Sequence, residues 1–125
     1  MIGLNYLGRM GQLGNQMFQY AALRGIAAAK GYDWCIPPYN TRRIDNYGLA
    51  NCFTLDSVKS TNLYILDRGF APIVGEKHFH FDKELLELCP NDVSLYGFFQ
   101  TEKYFAHIRD EIRNDFTFHK DCLNQ

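Results

Sequence analysis

The chain has 125 residues, 46% of them hydrophobic, 15% aromatic and 22% charged, which describes one globular domain with a single core and excludes a fibrous or disordered chain. Thirteen basic against fourteen acidic residues give a formal charge of −1, so nucleic acid and anionic membrane surfaces are not expected partners. The N-terminus Met1-Ile2-Gly3-Leu4-Asn5 lacks the basic start and apolar run of a signal peptide, and Ala21 to Ala29 is too short to span a bilayer. With no transmembrane segment and no Cys-x-x-Cys pair among the cysteines at 35, 52, 89 and 122, reduced thiols in a cytoplasmic protein are the expectation.

Met1 to Leu7 reads as a short buried strand, followed by a loop with glycines at 8, 11 and 14. Gln16 to Lys30 follows the helical period, with Phe18, Ala22 and Ile26 on one face and Gly31 placed to end the helix. Trp34-Cys35-Ile36 is a second strand, stopped by Pro37-Pro38. Strand, glycine loop, helix, strand is a βαβ unit, which predicts an α/β fold: a Rossmann-like parallel sheet with flanking helices. Tyr39 to Gly48 reads as loop, Leu49 to Phe53 as a turn of helix and Ser60 to Leu66 as a strand. Phe79 to Leu88 suggests a short helix started by Asp82, and Val93 to Phe99 a further strand. Thr101 can cap a last helix carrying Tyr104, Phe105, Ile108, Ile112 and Phe116 at helical spacing. These aromatics read as core rather than as sugar-stacking platforms, and Lys103, Arg109, Asp110, Glu111, Arg113 and Asp115 as a solvated helix face.

Gly11-Gln12-Leu13-Gly14-Asn15-Gln16, where the first strand turns into the first helix, is the strongest candidate site. Glycine lets a ligand approach the backbone, and the unpaired N–H groups of a helix start favour an anion such as phosphate. Asn15 either donates to a ligand oxygen or caps the helix. The spacing matches neither Gly-x-Gly-x-x-Gly nor a P-loop. Strands ending near Leu7 and Phe99, if parallel, place Asn15 and Gln100 at one carboxyl edge, the place where open α/β sheets bind ligands. Gln100 there either hydrogen-bonds an acceptor hydroxyl or merely starts the last helix. His78 and His80, with Asp82 near, share a strand face, and read as surface rather than as a metal site.

Gly14-Asn15-Gln16-Met17-Phe18-Gln19-Tyr20-Ala21 resembles the opening signature of the alpha-1,2-fucosyltransferases of glycosyltransferase family 11. Leu95-Tyr96-Gly97-Phe98-Phe99-Gln100-Thr101-Glu102-Lys103-Tyr104-Phe105 resembles that family's later Gly-Tyr-Phe-Gln-Ser-Glu-Lys-Tyr-Phe block, with Ile112-Arg113 and Phe116 following in order. The resemblance implies fucose transfer from GDP-fucose to a glycan hydroxyl with inversion, with no metal or other cofactor. It implies a two-lobe GT-B fold, of which residues 1–125 form a single N-terminal, acceptor-side lobe. Gly14, Asn15 and Gln16 then face the cleft near the donor diphosphate and acceptor.

The family's donor-binding His-x-Arg-Arg-x-Asp motif belongs to a second lobe that these residues do not contain. Asn40-Thr41-Arg42-Arg43-Ile44-Asp45 matches it except at Asn40, and two adjacent guanidinium groups suit a diphosphate. It follows Pro37-Pro38-Tyr39 in a loop and not a buried strand, so chance similarity is the plainer reading. The alternative places Arg42 or Arg43 along the near side of the cleft. The expected behaviour is therefore a lobe inactive alone, engaging GDP-fucose and a glycan acceptor once a second lobe is supplied. A homo-oligomer through the exposed cleft face accompanies that reading. The competing readings are a stand-alone sugar- or nucleotide-binding module and a non-catalytic oligomerising relic.

Overall fold

The structure is a computed structural model and describes residues 1–8, 12–39, 47–77 and 80–119. Four short strands, β1 (Ile2–Gly3), β2 (Trp34–Cys35), β3 (Ile73–Gly75) and β4 (Ser94–Tyr96), form one parallel sheet in the order β2-β1-β4-β3. The helices are α1 (Leu13–Lys30), α2 (Gly48–Cys52), α3 (Lys83–Leu88) and α4 (Arg109–Asp115). The predicted α/β architecture, a parallel sheet with flanking helices, is the one observed. The crossovers β1-α1-β2 and β3-α3-β4 step the same way along the sheet, so right-handed connections place both helices on one face. There α1 packs against α3.

Alternation along the strands divides the core in two. Ile2, Leu4 and Leu95 face the helices and join Tyr20, Leu23, Ile26 and Leu85 in the main cluster. Gly3 faces the other side, where Cys35, Leu66 and Ala71 form a smaller cluster. A Cβ at Gly3 would lie 3.0 Å from Cys35 Sγ, so the small residue lets the chain around Leu66 cover this face closely. Asn5 fixes that cover: its Nδ2 donates to Leu66 O at 3.0 Å and its Oδ1 accepts from Leu66 N at 2.9 Å.

Helix α1 is alanine-rich where it meets its neighbours, and Gly25 brings it hard against the later chain. A Cβ at Gly25 would stand 1.9 Å from Tyr104 O. Gly31 ends the helix as its sequence suggests, in the left-handed conformation (φ 70°) with its N–H on Ala27 O. Asp82 also acts as expected, its Oδ1 accepting from Leu85 N at the start of α3.

Several expectations are corrected. The first strand stops at Gly3, because residues 5–8 turn and the Asn5 amide replaces ladder bonds with bonds to Leu66. Ser60 to Leu66 is not a strand: Ser60–Asn62 is a 3-10 turn, Leu63 bridges Ile36 alone, and Leu66–Gly69 turns again. β3 carries Gly75 and an exposed Ile73, too short and mixed a run to be read from periodicity. The last helix is broken into 3-10 turns Glu102–Tyr104 and Ala106–Ile108 before α4 begins, and Thr101 caps the first of these.

Asp115 is the other correction. It is wholly buried, not on a solvated face. Its Oδ2 accepts from the Tyr20 hydroxyl at 2.6 Å and pairs with Arg24 Nη1, while Oδ1 accepts from Ser57 N at 2.8 Å. Arg24 stacks on Trp34, its guanidinium carbon 4.8 Å from the ring centroid, and reaches Glu111 with Nη2 at 3.1 Å. Every polar atom of this buried pair that needs a partner inside the protein finds one, which is the condition for such a pair to be tolerated. Cys35, Cys52 and Cys89 are free thiols, and among the described residues no helix is long and apolar enough to cross a membrane.

Candidate functional site at the carboxyl edge of the sheet

β1 and β4 are adjacent and parallel, paired at Gly3 and Ser94, so the chain leaving each emerges at the same carboxyl edge. The first leads into α1 and the second into the turn 97–101. Asn15 and Gln100 meet there, with Gln100 Nε2 donating to Asn15 Oδ1 at 2.7 Å.

Asn15 is not a cap. The N-cap of α1 is Gln12, in extended conformation with no side-chain capping bond, and Asn15 lies inside the first turn. The helix begins three residues earlier than its apolar periodicity indicates, because Leu13 and Gly14 carry no such signal. The Gln12 side chain does not cap the first turn and no acidic residue occupies it, so no negative charge within that turn offsets the positive end of the helix dipole.

Gly14 is exposed, and a Cβ built there meets nothing within 4 Å. Packing accounts for Gly25 but not for Gly14. Gln16 is turned the other way: it is fully buried, and its Oε1 accepts from Leu49 N at 3.1 Å, tying α1 to α2. Of the four principal candidates, Asn15 and Gln100 thus meet, Gly14 lines an apolar recess with Met17, Phe18, Phe105 and Phe116, and Gln16 faces the core. Arg42, Arg43 and His78 lie outside the described residues. Among the described residues no group of three or more His, Cys, Asp or Glu is placed to hold a metal ion.

Gln100 stands at the apex of a three-residue turn closed by Thr101 N donating to Phe99 O at 2.8 Å. It therefore does not start a helix; Thr101 does, accepting from Lys103 N. The paired amides leave the Asn15 Nδ2 donors and the Gln100 Oε1 acceptor turned to solvent, and reversing both amides would leave the same inventory. A donor beside an acceptor complements a sugar's neighbouring hydroxyls, each of which can give and take a hydrogen bond.

Further residues, inside and outside the two sequence blocks, complete the edge. Glu76, directly after β3, accepts from Phe99 N on Oε1 at 3.0 Å and from the Tyr104 hydroxyl on Oε2 at 2.7 Å. The Tyr104 hydroxyl in turn accepts from Asp82 N at 2.9 Å. Burial, followed by the bond to Glu76, drives the Tyr104 phenol well above its ordinary pKa, so it remains a neutral donor. Gln19 donates from Nε2 to Gly97 O at 3.0 Å. Neither Gln19 nor Glu76 was legible as a site residue, since the Gly97, Phe99 and Tyr104 atoms they bond come close only in the fold. On the neighbouring surface Tyr6 packs edge-on to the exposed Tyr96 at 5.5 Å, and Phe98 is also exposed.

Asn15, Gln19 and Gln100 fall within the two sequence blocks. The chain is distantly similar to a glycosyltransferase. It is 27% identical over 131 aligned positions to an alpha-1,2-colitosyltransferase of Escherichia coli, across 86% of this chain. It spans 42% of the length of that relative. No protein-family model and no solved structure matches the chain.

Proposed function

We propose that these residues form the acceptor-side lobe of a glycosyltransferase, in which Asn15 and Gln100 bind sugar hydroxyls at the carboxyl edge. The observation that carries the reading is the 2.7 Å contact between them, which joins two sequence blocks 85 positions apart. The distant similarity to an alpha-1,2-colitosyltransferase supports glycosyl transfer as the reaction class. The resemblance of both blocks to alpha-1,2-fucosyltransferases favours a fucosyl or closely related unit, carried by GDP-fucose or its analogue, and a GT-B arrangement.

Inverting transfer requires a stabilised leaving diphosphate and an acceptor hydroxyl that loses its proton as it attacks. On this reading the first turn of α1, which the Gln12 side chain does not cap, faces the diphosphate, with Gly14 leaving room for it. Asn15 and Gln100 orient the acceptor hydroxyl. The principal donor site belongs to a second lobe, outside these 125 residues. Gln16 supports α1 from within and does not touch ligand.

Two measurements test this. Titrating the chain with methyl β-D-galactoside and methyl α-L-fucoside, alone and with GDP, should show saturable binding that weakens in Asn15→Ala and Gln100→Ala. Binding unaffected by either substitution would refute the site. The chain alone should release no GDP from GDP-fucose in response to acceptor; acceptor-dependent release would refute the division between lobes.

A further inference from the structure

Gln19 lies one helical turn beyond Asn15, on the same face of α1. It is 1% exposed, and its Nε2 holds Gly97 O where the chain leaves β4. The other half of the amide has no such use: Oε1 is buried without a hydrogen-bond partner. Methionine would fill the same space without Oε1, at the cost of leaving Gly97 O without its donor, so packing alone does not account for glutamine here. What distinguishes glutamine is the bond to Gly97.

That bond restrains a strained turn. Phe99 is fully buried and left-handed at φ 52°, a conformation rare for a bulky residue. Gly97 has φ 153°, and a side chain there would come within 3.3 Å of both Glu76 Oε1 and the Phe99 ring. Glu76 grips Phe99 N, and the Phe99 ring packs edge-on to Tyr104 at 5.5 Å. Those contacts tie the turn to β3 and to the chain beyond it. Tyr104 in turn packs against α1 at Gly25, so apolar packing sets the turn beside the helix. The direct hydrogen bonds from α1 to the turn are those of Gln19 and of Asn15, and the second is exposed to competing water.

We propose that Gln19 is a positioning residue for the saccharide site: through Gly97 O it holds the Phe99 turn at the distance from α1 that lays Gln100 against Asn15. The inference rests on the reading of Asn15 and Gln100 as the sugar-binding pair. It extends that reading to a buried residue that no ligand touches. The amide at position 19 is kept for alignment and leaves an acceptor stranded in the core.

The test uses side-chain amide NMR on the full 125-residue chain, with methyl β-D-galactoside as the probe. In the native chain the Gln19 amide protons should exchange at least about tenfold more slowly than those of a free glutamine. Exchange as fast as free glutamine would overturn the proposal without any variant. In Gln19→Met the melting temperature should change little, because the variant loses the stranded Oε1 and strands Gly97 O in its place. The Gln100 amide should nevertheless lose its distinct shift, and galactoside affinity should fall severalfold. A folded Gln19→Met with native Gln100 shift and native affinity would overturn it. Should the native chain bind no galactoside while the Gln100 shift still collapses in the variant, positioning stands and the sugar reading alone fails. Should Gln19→Met not fold, the native exchange rate decides.

Discussion

Asn15 and Gln100 hydrogen-bond across the seam between β1 and β4, although one opens the first long helix and the other follows the last strand. The contact exists because those two strands are central neighbours in a sheet whose chain visits both edges between them. An exposed bond of this kind between two neutral amides contributes little to stability, on the order of 1 kcal/mol or less. Its value lies in the donor and acceptor it presents together.

Asn15→Ala separates capping from binding. As Asn15 is inside the first turn and caps nothing, the better helix propensity of alanine offsets the lost bond, and stability should stay within about 0.5 kcal/mol of native. Denaturant unfolding checks this. A loss of about 1–2 kcal/mol would instead mark Asn15 as a cap.

The two glycines of α1 should respond oppositely. Gly25→Ala drives a Cβ into the Tyr104 backbone and should destabilise by about 3 kcal/mol or more, since backbone cannot step aside cheaply. Gly14→Ala enters open space and should leave stability unchanged or raise it by up to about 1 kcal/mol. If a ligand approaches position 14, GDP binding should weaken in Gly14→Ala despite the intact fold. Thermal melts together with GDP titrations compare the pair.

Asp115→Asn should be the most damaging conservative change. It leaves the Arg24 charge buried with only the exposed Glu111 carboxylate to pair with. Removing one partner of a buried ion pair costs about 3–5 kcal/mol. Chemical denaturation reads the difference, and a loss below 1 kcal/mol would show that the pair is hydrated in solution.

Stability should fall on the alkaline side. Burial pushes the Cys35 thiol up to about 11 from an ordinary value of 9.0, and drives the Tyr20 and Tyr47 phenols well above 10.0. In each case the fold favours the neutral form, so the stabilisation is complete below the unfolded value and is lost as pH rises towards the folded one. Melting temperature should therefore decline from about pH 9 and more steeply above pH 10, at up to about 1.4 kcal/mol per pH unit for each group. Tyrosinate absorbance followed through the same titration should jump with unfolding. A gradual rise with the fold intact would contradict the burial of these phenols.

The sequence made the βαβ opening legible because α1 carries a long helical period, a glycine stop at Gly31 and proline punctuation after β2. It also made the parallel neighbours of the site legible, since both blocks sit at strand-to-loop transitions. It concealed β3, where three residues carry no alternation, and it concealed Asp115, whose partner Arg24 lies 91 positions away. Gln19 and Glu76 were hidden for a common reason. Both bond backbone atoms, of Gly97 and Phe99, that no side-chain pattern announces, and the Tyr104 hydroxyl that Glu76 also holds lies 28 positions away. Asn15 read equally well as cap or ligand until the helix start at Leu13 excluded the cap.

The central claim is that Asn15 and Gln100 together receive a sugar hydroxyl. The most direct measurement is a side-chain amide NMR titration of the native chain with methyl β-D-galactoside and methyl α-L-fucoside. The account predicts that the Asn15 and Gln100 amides shift together along one saturable curve, and that Asn15→Ala abolishes the shift at Gln100 while the fold persists. Saturable sugar binding that moves neither amide, or that survives Asn15→Ala unchanged, would contradict it.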